Sequence, residues 1–272
     1  MGMVITSFNN PKIKAIRKLE DRKYRALTGD FFVEGLRIVG EAIQAGAAIK
    51  SILVAPELLV SNFGNSLLSH PSINQIELIQ VSPEVFKSIS HREGPQGIGA
   101  VVEQSWWSLD SLGCNPTDFW IAIDQASDPG NLGTIMRTAD AVGARGVILI
   151  GSSTDPHDPA AVKASLGSIF SLQIVRTDWA SFQTWQVENQ ISLIGTSDHA
   201  EIDYQSIDYQ LPLVLLMGSE RHGLPDEMIT ACQHVVKIPM SGRADSLNLG
   251  VAAAIVLYEI FNQYRKLDTI KL

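Results

Sequence analysis

The feature of this sequence that most constrains its fold is a pair of apolar runs near the C-terminal end, each followed by a polar loop that contains glycine. Leu213 to Met217 is unbroken and closes on Gly218, and Val235 to Ile238 closes on Pro239. Such runs are typical of strands buried on both faces of a parallel sheet. From Leu247 to Phe261 the apolar residues then recur at helical spacing. This stretch therefore predicts two buried strands and a helix within an α/β fold.

The two loops, GSERHG and PMSGRADSLN, follow the carboxyl ends of these strands. Ligands of open α/β sheets bind in the crevice beyond such strand ends. The loops supply five polar groups in a short length of chain: Glu220, Arg221, Arg243, Ser246 and Asn248. The clustering favours a ligand site. The alternative is that Gly218 and Gly223 are turn glycines and that Ser246 is a helix N-cap.

A third loop follows an earlier buried strand, FWIAID, which ends at Asp124. The sequence QASDPGN then leads into LGTIMRTADAVGA, which predicts a helix. Asn131 and Arg137 are six residues apart, so they cannot lie one turn apart on one helical face. They share a site only if Asn131 lies in the loop or at the N-cap and Arg137 in the second turn. The alternative is an ordinary helix cap and a surface ion pair.

The N-terminal part of the chain has its own alternation of strands and helices. Residues 30–103 read as a small α/β domain with a separate sheet. Residues 104–118, QSWWSLDSLGCNPTD, interrupt the pattern with Ser, Gly, Asn and Pro. The predicted organisation is therefore a domain over 1–103, a linker over 104–118 and a second domain over 119–272. Trp106 and Trp107 either stack on bases or, as we prefer, fix the linker to a domain surface.

Residues 12–28, KIKAIRKLEDRKYRALT, predict one helix with an apolar stripe formed by Ile13, Ile16, Leu19 and Leu27. Residues 1–50 hold nine Lys and Arg against five Asp and Glu, although the whole chain has a net charge of −8. A local excess of positive charge attracts phosphate. The predicted RNA contacts of this helix are Lys12, Lys14, Arg17, Arg22 and Arg25. A solvated helix face is the alternative.

Several classes of protein are disfavoured by what the sequence lacks. No apolar run approaches the ~20 residues needed to span a bilayer, and the N-terminus has no signal-peptide h-region. The two cysteines, Cys114 and Cys232, lie far apart and indicate reduced thiols in a cytoplasmic protein. There is no P-loop, no GxGxxG and no GxSxG. No residues have the spacing of a metal site, so no metal is expected.

Three motifs resemble those of a known family. DPGNLGTIMRTADAVGA, GSERHGL, and IPM followed by DSLNLGVAAAI are similar, in this order, to the motifs of the SpoU-type (TrmH-like) RNA 2′-O-ribose methyltransferases of the SPOUT superfamily. The resemblance implies a C-terminal SPOUT domain with a parallel sheet and a deep trefoil knot. It also implies a small N-terminal α/β, L30-like domain that binds RNA. Asp30 to Arg37 resembles the opening of that domain, which adds Arg37 to the predicted RNA contacts.

The resemblance also implies a reaction, the methylation of a ribose 2′-hydroxyl of RNA by S-adenosylmethionine, with rRNA favoured over tRNA. By analogy, the adenine and ribose of the cofactor meet mainly backbone groups near five residues: Thr196, Gly218, Ile238, Met240 and Leu247. The residues expected to serve the reaction are Asn131, Arg137, Glu220, Ser246 and Asn248.

The expected roles of these residues follow from their chemistry. The arginine that matches Arg137 has been proposed as the base in this family, but an arginine pKa lies above ~12. We therefore expect Arg137 to clamp the neighbouring phosphate and polarise the hydroxyl. Asn131, Ser246 and Asn248 would position the ribose and the proton. Glu220 would orient Arg137 or Asn131.

Enzymes of this type are homodimers with both knots at the interface. The C-terminal helix is apolar on more than one face, and its candidates for the interface are Val251, Ala254, Ile255, Tyr258 and Phe261. Simple packing of this helix on the sheet is the alternative.

Two other functions are compatible with the fold. One is a non-catalytic protein that binds RNA or the ribosome, which loss of Arg137, Asn131 or Asn248 would have favoured. The other is a dinucleotide-dependent oxidoreductase, against which the missing phosphate-binding fingerprint speaks.

Overall fold

The computed structural model of the protein describes residues 4–266. The first part of the chain forms α1 (Pro11–Lys18), α2 (Arg22–Thr28), β1 (Asp30–Glu34), α3 (Leu36–Gln44), β2 (Ile49–Val54), α4 (Asn62–Leu68), β3 (Glu77–Gln80), α5 (Pro83–Lys87) and β4 (Ile98–Glu103). The rest forms β5 (Phe119–Asp124), α6 (Pro129–Ala141), β6 (Gly146–Ile150), α7 (Pro159–Ser165), β7 (Gln173–Thr177), α8 (Trp179–Glu188), β8 (Ser192–Thr196), β9 (Ile202–Asp203), β10 (Leu213–Met217), α9 (Asp226–Ala231), β11 (His234–Lys237) and α10 (Leu249–Lys266). Across residues 4–266, no helix combines the length and apolarity needed to cross a membrane.

The chain divides into two compact units. The first comprises the chain up to Gln104 together with His157–Ser171, and the second comprises Ser105–Pro156 and the chain from Leu172 onwards. The sequence analysis placed residues 157–171 in the second domain. Aromatic packing within the first unit accounts for the difference, since the ring of Phe31 lies 4.7 Å from His157 and 6.1 Å from Phe170. The domain boundaries at residues 103 and 119 stay predictions.

The first unit is built on a four-stranded sheet in the order β1-β4-β2-β3. β4 pairs antiparallel with β1 and β2, whereas β2 and β3 are parallel. Helices α1 and α5 contribute Ile13, Ile16, Val85 and Phe86 to a core that also holds Leu53 and Val81. This unit therefore has the separate sheet and core that its alternation of elements predicts.

The basic segment at the N-terminus forms two helices, so the prediction of a single helix over 12–28 is wrong. Asp21 ends the continuity because its carboxylate accepts hydrogen bonds from the backbone N–H groups of Lys23 and Tyr24 and caps α2. The break shifts the helical phase of the residues that follow. Leu27, predicted to lie on the buried stripe, is 81% exposed as a result.

Arg25 is the residue of this segment whose position departs most from the sequence analysis. Its side chain is 1% exposed, and its Nη1 donates hydrogen bonds to the carbonyls of Leu19 and Glu20, both at 2.8 Å. Its Nη2 lies 3.4 Å from the carboxylate of Asp158. A guanidinium enclosed in this way satisfies the carbonyls that end α1. It is not accessible to RNA, so Arg25 leaves the predicted RNA-binding set.

The second unit contains a seven-stranded sheet in the order β7-β6-β5-β10-β8-β11-β9, and each of its strand pairs is parallel. Every residue of β5, β6 and β10 is buried, which confirms the prediction made from their unbroken apolar runs. The rings of Trp120 and Trp185 meet edge to face at 5.5 Å and fill the layer beneath α8. The α/β class with a parallel sheet is confirmed, while the trefoil knot stays a prediction.

The two tryptophans of the predicted linker lie against the edge of this sheet. The backbone N–H of Trp107 donates to the carbonyl of Ile174 at 2.9 Å and extends the sheet beyond β7. The guanidinium of Arg176 lies 4.6 Å from the centre of the Trp106 ring, within the range of a cation–π contact. The chain before β5 is thus fixed to the surface of the second unit, as the preferred interpretation expects.

Arg25 offers a test of the first unit. We expect Arg25→Ala to lower the free energy of unfolding by about 2–3 kcal/mol, because two buried carbonyls and one carboxylate lose their donor. Lys23→Ala, on the exposed surface of the same helix, serves as the control and should change stability by no more than about 0.5 kcal/mol. Urea denaturation followed by circular dichroism measures both. Equal effects of the two substitutions would contradict the structural role of Arg25.

Candidate active site

The polar loops that follow β10 and β11 and the end of β8 surround a cavity of about 910 Å³ in the second unit. Its lining includes all five residues predicted to hold the cofactor, namely Thr196, Gly218, Ile238, Met240 and Leu247, and three of those predicted for the reaction, namely Glu220, Ser246 and Asn248. Because parallel strands present their carboxyl ends at one edge, residues distant in the sequence meet there.

Side-chain hydrogen bonds join the wall of this cavity to the start of α6. The Asn248 amide donates to Asn131 Oδ1 at 2.8 Å, and the Asn131 amide donates to Glu220 Oε1 at 3.4 Å. The other oxygen of Glu220 accepts from the Ser127 hydroxyl at 2.6 Å and from its backbone N–H at 3.3 Å. These four side chains form the polar relay, a name kept below. The relay links the three motif loops into one site.

Asn131 lies in the first turn of α6, which corrects the expectation of a loop or N-cap position. Asp128 is the N-cap, and its carboxylate accepts the backbone N–H of Asn131 at 2.6 Å. Pro129 occupies the first helical position, where its fixed φ is favourable and its missing N–H costs nothing. With its backbone satisfied by Asp128, the Asn131 side chain donates to one partner of the relay and accepts from the other.

Asn248 begins α10, so the alternative that Ser246 is the N-cap is wrong. Its Oδ1 accepts the backbone N–H groups of Gly250 at 2.9 Å and Val251 at 3.3 Å. This caps the helix with the carbonyl end of the amide and leaves the NH₂ end to donate to Asn131. Ser246 lies on the exposed loop before the helix, in the lining of the cavity.

The glycines after β10 hold the loop of Glu220 in place. Ser219 and Gly223 exchange two backbone hydrogen bonds, at 3.2 and 3.0 Å, and Gly223 has a φ of +65°. A Cβ on Gly218 would lie 2.2 Å from the carbonyl carbon of Gly223, so only glycine fits. Gly218 and Gly223 are therefore turn glycines as well as part of the site.

The environment of Glu220 favours its charged form. Partial burial raises its pKa, but hydrogen bonds from Ser127 and Asn131 outweigh burial and leave the pKa below its ordinary value. The carboxylate thus remains an acceptor for both donors at neutral pH.

Arg137 lies on the exposed surface of α6. Within residues 4–266 its side chain makes no hydrogen bond or ion pair, so Glu220 orients Asn131 and not Arg137. Thr134, three residues earlier on the same side of α6, lies against the start of α10, where a Cβ on Gly250 would be 3.2 Å from the Thr134 methyl. Arg137 is therefore a guanidinium held beside the relay without a partner in that part of the chain.

The cavity suits a ligand that combines a flat ring with positive charge. Its apolar walls include Leu224, Val236 and Ile238. Its rim carries the carboxylates of Asp198, Glu220, Asp226 and Asp245 against one arginine, Arg221. Thr196, whose hydroxyl donates to the carbonyl of Leu216 at 3.4 Å, adds a polar group at the end of β8. Sites of this size and composition are typical of small-molecule binding.

The remaining predicted RNA contacts lie in the first unit. Lys12 pairs with Glu77, and Arg17 donates to the Ser88 hydroxyl at 2.9 Å. Lys14, Arg22 and Arg37 are exposed. Among residues 4–266 there is no group of three His, Cys, Asp or Glu residues placed to hold a metal ion.

Ser127 is the member of the relay that the sequence did not reveal. A serine before a helix N-cap is common in loops, and only the fold brings it to Glu220, 93 residues away. We predict that Ser127→Ala raises the pKa of Glu220, because the carboxylate loses the hydroxyl that stabilises its charge. Ser127→Thr keeps the hydroxyl and should keep the low pKa. Carboxyl carbon NMR over a pH titration measures both, and an unchanged pKa in Ser127→Ala would contradict the relay.

Comparison with known proteins identifies the family. The model of the SpoU rRNA Methylase family matches residues 118–258, and that of the MRM3-like substrate binding domain matches residues 10–100. The 23S rRNA (uridine(2479)-2′-O)-methyltransferase of Streptomyces viridochromogenes is 34% identical over 253 residues, 90% of this chain and 87% of that protein. The 23S rRNA (guanosine(2553)-2′-O)-methyltransferase RlmP of Bacillus subtilis is 30% identical over 258 residues, 94% of this chain and 98% of that protein.

Solved structures agree with this assignment. The AdoMet-bound rRNA methyltransferase from Sinorhizobium meliloti is similar with a TM-score of 0.87 and 36% identity, over 97% of this chain and 98% of that one. The SpoU methyltransferase AviRb from Streptomyces viridochromogenes, in complex with AdoMet, has a TM-score of 0.86 and 32% identity, over 94% of this chain and 99% of that one. The resemblance seen in the three motifs is confirmed, and the chain belongs to the SpoU rRNA methylase family.

Proposed function

We propose that this protein transfers the methyl group of S-adenosylmethionine to a ribose 2′-hydroxyl of RNA, with rRNA as the substrate. The observation that carries the proposal is the polar relay at the mouth of the 910 Å³ cavity. The names of the Streptomyces and Bacillus relatives support rRNA over tRNA. A non-catalytic RNA-binding protein would not need the relay intact.

The cavity fits the proposed cofactor by the chemistry of its lining. Backbone groups at the ends of β8 and β10, near Thr196 and Gly218, are suited to the edge of an adenine. Ile238 and Leu247 offer apolar contact to its ring, and Met240 lies beside them in the lining. The excess of carboxylates at the rim favours a ligand with a net positive charge. When bound, S-adenosylmethionine supplies a methyl group on a sulfonium, whose sulfur leaves as a neutral thioether.

The protein's own side chains must align the ribose oxygen and help its proton to leave. No acid is needed for a neutral leaving group, so the contribution expected of the protein is positioning and polarisation. Asn131 and Asn248 are locked to each other at 2.8 Å and would fix the ribose. Ser246 would add a hydroxyl from the facing loop. Glu220 acts as a positioning residue, since it holds the amide of Asn131.

Arg137 is assigned to the substrate phosphate. It carries a fixed positive charge, and a guanidinium binds phosphate in a bidentate manner. Its exposed place beside the relay, with no partner among the described residues, leaves it available to a phosphate next to the target ribose. There it would stabilise charge on the 2′-oxygen as the proton leaves, without itself acting as a base.

We also propose a homodimer through α10. The buried face of this helix consists of Ala253, Val256, Leu257 and Ile260. The five apolar residues expected at an interface all lie off that face: Val251, Ala254, Ile255, Tyr258 and Phe261. Val251 is 47% and Tyr258 45% exposed. An apolar strip of this kind on an exposed helix is typical of a protein contact. The trefoil knot and a cytoplasmic location complete the proposal.

Arg137 provides the test of the reaction. We expect Arg137→Ala to reduce methyl incorporation into rRNA from a strain lacking the gene by at least about 100-fold, because the phosphate clamp is lost. Calorimetric titration with S-adenosylmethionine should give the wild-type affinity, since Arg137 does not line the cavity. Arg145→Ala is the matched control and should remain active. Turnover near wild type in Arg137→Ala would remove Arg137 from the mechanism, and an inactive wild-type protein would refute the function.

The dimer is tested by placing charge on the exposed strip of α10. Val251→Glu is expected to convert a dimer into a monomer in sedimentation velocity, because a buried, unpaired carboxylate opposes association. Val187→Glu makes the same change at an exposed position of α8 and should leave the dimer intact. A Val251→Glu variant that still sediments as a dimer would exclude α10 as the interface.

A further inference from the structure

We propose that a second cavity, of about 370 Å³ in the first unit, binds an unpaired nucleotide of the RNA substrate. It lies around the start of α3 and is called the α3 cavity. Its lining includes Arg37, Phe63, Arg92, Gln96, Glu34 and Glu41. The inference rests on the proposed function in taking RNA as the ligand, and it names a binding site distinct from the methyl-transfer site.

Two arginines give the α3 cavity its affinity for phosphate. Arg37 is the second residue of α3, and Arg92 belongs to the loop before β4. Neither guanidinium has a hydrogen bond or ion pair within residues 4–266. Gly35, with a φ of +98°, makes room for Arg92, because a Cβ there would lie 3.1 Å from Nη1. Two guanidiniums without partners at one cavity are suited to bidentate contact with a backbone phosphate.

Phe63 gives the same cavity a stacking surface. Its side chain is 48% exposed in the first turn of α4. Gly40 allows the ring to lie close to α3, since a Cβ on Gly40 would be 3.3 Å from Phe63 Cζ. An exposed aromatic ring beside arginines is a common way to hold an unstacked base. A base in double-stranded RNA is already stacked and paired, so the cavity favours a single strand.

The remaining polar groups suit a base better than a free anion. Gln96 Oε1 accepts the backbone N–H of Leu36 at 3.0 Å, which leaves its amide nitrogen as a donor. Glu34 Oε1 accepts the backbone N–H of His91 at 2.9 Å, while its Oε2 is buried without a partner among the described residues. Glu34 and Glu41 would repel a polyphosphate but accept hydrogen bonds from the N–H groups of a base.

The test is fluorescence anisotropy with a labelled single-stranded RNA of mixed sequence and with the duplex formed by its complement. The double variant Arg37→Ala/Arg92→Ala should bind the single strand at least about tenfold more weakly and lower the slope of log affinity against log salt by ~1.4. Phe63→Ala should lose about tenfold on the single strand, less on the duplex, and Phe63→Tyr should restore binding.

The control is Lys87→Ala/Lys163→Ala, which removes two exposed positive charges of the same unit away from the α3 cavity. The inference is overturned if both double variants bind the single strand equally, or if Phe63→Ala binds as Phe63→Tyr does. Calorimetry with S-adenosylmethionine should give wild-type affinity in every variant. Methyl transfer by a wild-type protein whose cavity variants bind RNA normally would defeat this inference alone. Specific RNA binding at the cavity without methyl transfer would defeat the proposed function alone.

Discussion

The hydrogen bond between Asn248 and Asn131 is the contact on which the architecture of the site depends. It joins the start of α10 to the start of α6, two helices that follow different strands and are 117 residues apart at this contact. Each asparagine has its backbone or carbonyl oxygen committed to the local helix start, so its remaining polar atoms are aimed at the partner. Glu220 and Ser127 extend the contact to the other loops. Without the parallel pairing of β5 and β10, which aligns Ile123 with Met217, the loops would not meet.

The parts of the fold that sequence patterns predicted are those governed by strong local signals. Unbroken apolar runs gave the fully buried strands of the second sheet, because both faces of such strands are covered. The predicted run from Leu213 to Met217 coincides with β10. The five cofactor candidates line one cavity because they lie at strand ends or in the loops that follow. Their individual roles remain proposals.

The parts that were missed depend on competition between neighbours or on distant contacts. Asp21 rather than the charge pattern ends α1 and begins α2, since a carboxylate bonded to two backbone N–H groups outweighs helix continuity. Asn248 rather than Ser246 caps α10, although both residue types are good caps. Ser127 and the burial of Arg25 become visible only when residues 93 and 133 positions away, respectively, are brought beside them. No local pattern carries that information.

Helix α10 is used on three sides at once. Its first turn is tied to the relay, one face is buried against the sheet, and the opposite strip is apolar and exposed. Each residue of an α-helix turns the next by about 100°. A single-residue insertion or deletion early in α10 would therefore rotate every later side chain off its face and spoil packing and surface together. This helix should tolerate substitution at chosen positions but no change in length.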